Sequence, residues 1–307
     1  METIPYLGHS IRRWQIGDST FLAWPEAGAR LMRWQTTRPN GSTRDVLHWP
    51  ELADLSTPVA KVRGGNPILF PFNARVFEGG EIHFWRDATG TRRAMPMHGF
   101  ARQGTFQLTS IDETGFTARL APTADDQACY PFDYTFTVTY RFEAERCVCT
   151  LTLQNHGEVA IPWSAGHHFY FAAPWTADQT RDDYVIQLPR AASAKQTATG
   201  DIVPGPHLPR RCPLSHPDLV DTIHVGMAEN HLRFGPADGS EFVALTNGSS
   251  TVPHPEACFV TWTADPDAPY YCVEPWMGPP NAPGHGRGLH HVTPGQTENF
   301  TVTVAIG

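Results

Sequence analysis

One carboxylate, Glu274, stands alone in the segment YYCVEPWMGPPNAPGHGRG (residues 270–288), between an apolar lead-in and a loop made mostly of Pro and Gly. Two histidines, His98 in MPMHGFAR and His168 in GHHFYF, together with Asn73 and Arg75 in PILFPFNAR, complete a set of side chains able to do chemistry. A carboxylate base paired with an imidazole acid is what proton transfer between two oxygens of one small molecule requires. That chemistry needs no covalent intermediate, no metal and no cofactor. A hydrolase triad calls for a serine on a sharp elbow, and the chain contains no G-x-S-x-G. A compact zinc motif such as H-E-x-x-H is also missing, although His285, His290 and His291 could still meet in space. Each residue has a plainer reading too: Glu274 as a polar group at a strand end, Arg75 as one half of a surface ion pair.

The elements that must carry these residues read as short strands. Tyr270 to Val273 form a buried strand, and Pro275, with no N–H to donate, is expected to end the ladder and leave Glu274 at a strand end. From Gly278 to Gly288 the chain should run as a fixed surface loop able to wall a pocket. Ile68, Leu69 and Phe70 form another buried strand, ended by Pro71, after which Asn73 and Arg75 take exposed positions. Neighbours on a strand face opposite sides, so His168 shares a face with Tyr170 while His167 joins Phe169 and Phe171. This predicts His168 in a wet cleft and His167 in packing. The cleanest alternation lies between residues 130 and 154, where Tyr134, Phe136, Val138, Tyr140 and Phe142 point one way and Cys147, Cys149, Leu151 and Leu153 form the apolar face of the returning strand. Arg86, Arg92, Arg93 and Arg102 crowd residues 79–106, where solvated hairpin charges are expected in preference to a phosphate clamp. Between 176 and 260 the pattern weakens into loops and short strands, with Asp218 and Asp221 as turn caps or ligand contacts.

With 28 prolines and 26 glycines scattered along 307 residues, long helices are disfavoured and many short strands joined by turns are expected. The class predicted is all-β with very little helix, in a single domain spanning 1–307. The balance of 31 acidic to 23 basic side chains, a net charge of −8 with no basic run, argues against a nucleic-acid partner. No window approaches a membrane span or a signal peptide, so a cytoplasmic protein is expected, its six cysteines reduced thiols at scattered spacings. On these residues alone, an acid/base enzyme and a non-catalytic carbohydrate-binding sandwich stand level.

Taken in order and at their separations, PILFPFNAR, MPMHGFAR, GHHFYF and CVEPWMGPPNA resemble the aldose 1-epimerase (galactose mutarotase-like) family, from about residue 10 to the C-terminus. The resemblance implies a large antiparallel β-sandwich, the galactose mutarotase-like supersandwich. It also implies interconversion of the α and β anomers of a sugar without a cofactor, by a monomer or homodimer. On this resemblance Glu274 takes the proton from the anomeric O1 hydroxyl and His168 protonates the ring oxygen O5. His98 then bonds the ring-oxygen side, Arg75 with Asn73 beside it holds hydroxyls, and Asp221, with Asp218 as second choice, binds the sugar. A carboxylate next to His168 would raise the imidazole pKa, and the imidazolium would keep Glu274 ionised. His167 stands where relatives often have Gly, and Asn281-Ala-Pro-Gly-His285 replaces the usual Asp-Ala-Phe-Asn. A related branch acts on hexose 6-phosphates through basic side chains; the intact EPW-GPP segment looks more like the free-sugar branch.

Overall fold

The computed structural model describes residues 1–250 and 252–307. Two large antiparallel sheets dominate, one of thirteen strands and one of nine. The hairpin Tyr134–Glu143 and Arg146–Asn155 pairs in the register its alternation predicts, with Val138 opposite Leu151. It lies at the middle of the nine-stranded sheet, beside Thr297–Ile306. Its apolar face packs into a core that also takes Phe169, Phe171, Tyr271, Val273 and Phe259 from the larger sheet. The sequence class, antiparallel and nearly all β, is the architecture observed.

The part of the larger sheet that carries the site runs, strand beside strand, Thr43–Leu47, Phe169–Ala172, Tyr270–Trp276, Cys258–Trp262, Thr222–Val225 and Ala192–Gln196. Because side chains alternate, the residues between those core aromatics face away from the sandwich. Tyr170, Glu274, Trp276, Val260, Trp262, Ile223 and Lys195 therefore share one outer face, where they line a cavity. Residues 176–260, which read as mostly loop, supply strands to both sheets, among them Ala192–Gln196 and Thr222–Val225. Those strands are four or five residues long, too short for alternation to stand out in sequence.

Pro275 does not end its strand. Tyr270–Trp276 continues through it, with Phe259 opposite Pro275 and Cys258 opposite Trp276, so Glu274 sits inside a strand and not at its end. The proline is tolerated because the acceptor opposite it finds another donor. Phe169 pairs Val273 and Gly166 pairs Trp276, which sets His167 opposite Pro275, and the His167 carbonyl accepts from the Trp276 indole N–H at 3.1 Å. No acceptor is left bare where proline has no N–H to give. The Gly- and Pro-rich loop after Gly278 contains a single helical turn, Ala282–His285. It is tied down by two asparagines: Asn73 donates to the Gly278 carbonyl at 3.0 Å, and Asn281 accepts from the Phe77 N–H at 2.8 Å.

Candidate active site

The cavity on the outer face of the large sheet has a volume of about 390 Å³, within the range of small-molecule sites. Glu274 and His168 meet at its base. The register that pairs Phe169 with Val273 and Gly166 with Trp276 brings His168 opposite Glu274 on the neighbouring strand. Glu274 Oε1 lies 3.5 Å from His168 Nε2. Glu274 is 2% exposed, and its second oxygen has no hydrogen-bond partner among the described residues. The His168 ring stacks on Tyr170, with centroids 4.7 Å apart, and meets Trp262 edge-on at 5.7 Å. His167 takes the opposite face, fully buried between Phe169 and Phe300. The face assignment of the two adjacent histidines follows the strand rule, with His168 in the cavity.

Backbone strain gathers around the cavity. Ala74, His98 and Asp221 all line it, and all hold φ between 49° and 67°, a left-handed conformation costly for residues with a Cβ. A reciprocal clamp holds His98: its N–H donates to the Ala74 carbonyl at 2.7 Å, and its Nδ1 accepts from the Ala74 N–H at 3.1 Å. Since Nδ1 must supply a lone pair, the ring proton resides on Nε2. Gly99 makes the clamp possible, because a Cβ there would come within 2.0 Å of the Phe70 carbonyl oxygen. His98 and His168 then stand edge to face, 5.3 Å between centroids.

Burial dominates the electrostatics. It lowers His168 to about 3, with Arg102, Arg30 and Arg63 adding to the shift. It raises Glu274 well above the carboxylate range, helped by the charge of Asp221. His98 is pushed well below its ordinary value by burial, then by His168, Arg102 and Arg75. The expectation of an imidazolium facing a carboxylate is thus reversed: in a dry pair the neutral forms win, because each ion costs more to desolvate than its partner returns. The two groups hold one proton between them, resting on Glu274.

Of the other residues singled out from sequence, Arg75 and Asp221 line the cavity. Asp218 does not; it lies in the short turn Pro217–Leu219. Asn73 is buried behind the wall, spent on the Gly278 carbonyl. Arg86 and Arg92 pair with Glu78 and Glu81, and Arg93 with Asp87, as hairpin charges. Arg102, the fourth of that cluster, lines the cavity instead. Among the described residues no three His, Cys, Asp or Glu side chains gather as a metal site. His290 bonds Glu298 at 2.7 Å and His285 bonds the Pro280 carbonyl at 2.8 Å. No helix among the described residues is long and apolar enough to cross a membrane.

Sequence reasoning missed Lys61, Arg63, Lys195, Trp262 and Trp276 as cavity residues, and Asn66 beneath it. The Asn66 amide nitrogen lies 2.8 Å from the Tyr140 hydroxyl and 3.0 Å from His167 Nδ1, and its oxygen accepts from the His168 N–H. Its place in GGNP directly before a buried strand was the available signal.

The aldose 1-epimerase family model matches residues 14–305. The fold resembles a galactose mutarotase-like protein from Clostridium acetobutylicum, with a TM-score of 0.80 and 16% identity over 100% of this chain and 98% of that one. It also resembles galactose 1-epimerase from Lactobacillus acidophilus, with a TM-score of 0.70 and 12% identity over 100% and 98%. Protein LacX, chromosomal, from Lactococcus lactis is 24% identical over 131 residues, 42% of this chain and 44% of that protein, so the match spans less than half of this curated relative. With the family model matched along nearly its whole length, the chain belongs to the aldose 1-epimerase family.

Proposed function

We propose that the protein interconverts the α and β anomers of an aldohexose, with Glu274 and His168 handling the two oxygens of the anomeric carbon. The observation that carries this reading is the 3.5 Å approach of Glu274 Oε1 and His168 Nε2 at the base of a sugar-sized cavity. O1 and O5 are bonded to one carbon, so two groups this close together can each reach one of them. For ring opening, the O1 proton passes to the Glu274 carboxylate and the His168 proton passes to O5. The C1–O5 bond breaks and C1=O1 forms. The pair is left as carboxylic acid and neutral imidazole, which is the state that burial favours. Binding sugar must therefore move the resting proton to His168, and hydroxyls brought into the dry site supply hydrogen bonds that offset the charges. Rotation about C1–C2 presents the other face of the aldehyde, and the same transfers in reverse close the ring.

His98, neutral with its proton on Nε2, is the donor available for the ring-oxygen side. Arg75 and Asp221 hold hydroxyls at the rim. Each positioned acid or base contributes about 10²–10⁴-fold. Polarimetry on freshly dissolved α-glucose and α-galactose tests the reading: accelerated mutarotation that survives a chelator is expected. Unchanged rates with a range of aldoses would leave a carbohydrate-binding protein.

A further inference from the structure

Asp221 reaches the cavity from an irregular piece of backbone. It stands between the turn Pro217–Leu219 and the strand Thr222–Val225, at φ 55°. The three carbonyls directly before it are each taken by a side chain. Thr222 Oγ1 donates to the Asp218 carbonyl at 2.5 Å, Thr261 Oγ1 to that of Leu219 at 2.6 Å, and Lys195 Nζ to that of Val220 at 2.5 Å. The donors sit on three strands that lie side by side, Cys258–Trp262, Thr222–Val225 and Ala192–Gln196. The turn is thus gripped by its own strand and by both of that strand's neighbours.

The grip is built from buried parts. Thr222 and Thr261 are fully buried and directly opposite each other in the register. Thr261 commits its one proton to Leu219, so its oxygen accepts from His224 Nε2, 3.0 Å away. Burial, and then the Lys195 charge, lowers His224 to about 4, so the ring is neutral at pH 7. Lys195 is half-buried; burial lowers its ammonium, and the charges of Asp221 and then Asp218 oppose that. Burying such a polar chain is unfavourable unless its members satisfy one another, and a turn with nothing to present could be packed with apolar side chains instead. What the grip fixes is the direction of Asp221, which lines the cavity and whose charge also reaches Glu274.

We propose that Lys195, Thr261 and His224 are positioning residues for sugar binding. Lys195 and Thr261 directly, and His224 through Thr261, hold the carbonyls behind Asp221 and so aim its carboxylate at a sugar hydroxyl. This deepens the mutarotase reading, in which Asp221 holds a hydroxyl, and rests on it.

The test takes Lys195→Met, Thr261→Val and Thr261→Ser, alone and in an Asp221→Gly background, glycine being suited to the φ of that position. In mutarotation of glucose or galactose, whichever the wild type turns over faster, Lys195→Met and Thr261→Val should each raise KM about tenfold and lower kcat by less. That is the loss expected of one misdirected charge-assisted hydrogen bond. Thr261→Ser, which keeps the hydroxyl, should return KM close to the wild-type value. In the Asp221→Gly background the same substitutions should add nothing, because residues that act only through Asp221 then have nothing to aim. Losses that add in full, or a KM unmoved by either substitution in a folded protein, would overturn the proposal and leave the mutarotase reading standing. Calorimetric binding of 1,5-anhydroglucitol, which cannot ring-open, runs the same cycle without turnover. Weaker binding in both variants, again with nothing added to Asp221→Gly, supports the positioning role even where no sugar is turned over. Should Thr261→Val fail to fold, Lys195→Met, at a half-buried position, carries the cycle alone.

Discussion

At the scale of the residue, Glu274 pits function against stability. Its pKa is raised on folding, so its contribution to stability is full below the ordinary carboxylate value and is lost as pH rises. At neutral pH the buried carboxylate therefore weakens the fold. Glu274→Gln should raise the thermal midpoint while lowering the mutarotation rate about 10²–10⁴-fold; a lower midpoint with the rate retained would remove both claims. The active pair needs one shared proton, which is present from about 3, where His168 would take a second, up to the raised pKa of Glu274. The acid limb of kcat/KM, corrected for solvent catalysis, should accordingly fall well below the ordinary imidazole value. A limb near 6.5 would mean that His168 titrates as an exposed histidine. Glu274, His168 and His98 could be picked out in the chain, and so could the facing of His168, because motif and strand alternation are local; that Glu274 lies inside its strand could not. Nor could their protonation be read, since desolvation depends on what the rest of the molecule stacks above them.

At the scale of the element, the site depends on one irregular junction. His168 falls between two paired stretches, and its N–H is satisfied by Pro67 and Asn66 instead of the neighbouring strand. Asn66→Ala should therefore lower kcat more than it raises KM, since it frees the His168 backbone without touching sugar. An unchanged kcat in a folded variant would show that the strand alone positions the imidazole. The turn at His98-Gly99 is equally constrained. Gly99→Ala forces a Cβ to within 2.0 Å of the Phe70 oxygen at φ 68°, and should cost about 2–4 kcal/mol in urea unfolding. The hairpin from Tyr134 to Asn155 could be read from sequence because ten-residue strands show their period. The passage of the strand through Pro275 could not, since tolerance of that proline depends on the Trp276 indole reaching the His167 carbonyl opposite it. The residues between 176 and 260 hid their strands for a third reason: Lys195 and Asp221 gain meaning only from distant chain brought beside them.

At the scale of the whole molecule, the sandwich buries neutral histidines on both sides of its large sheet. Burial holds His167 and His168 at about 3 and His224 at about 4. A histidine depressed on folding gives stability that is present above the unfolded pKa of 6.5 and is lost as pH falls toward the folded value. Each should cost about 2 kcal/mol by pH 5, at about 1.4 kcal/mol per pH unit, so urea midpoints should fall steeply between pH 6.5 and 5. His167→Phe should flatten that slope, and an unaltered slope would mean that His167 does not titrate on unfolding. The same packing that makes the molecule acid-sensitive keeps the reacting pair dry on the outer face of the sheet. Magnetization exchange between the α and β anomeric protons, in the wild type and in Glu274→Gln at equal concentration, measures that pairing most directly. Exchange promoted by the wild type and abolished in the folded variant is the predicted result; equal exchange in both proteins would contradict it.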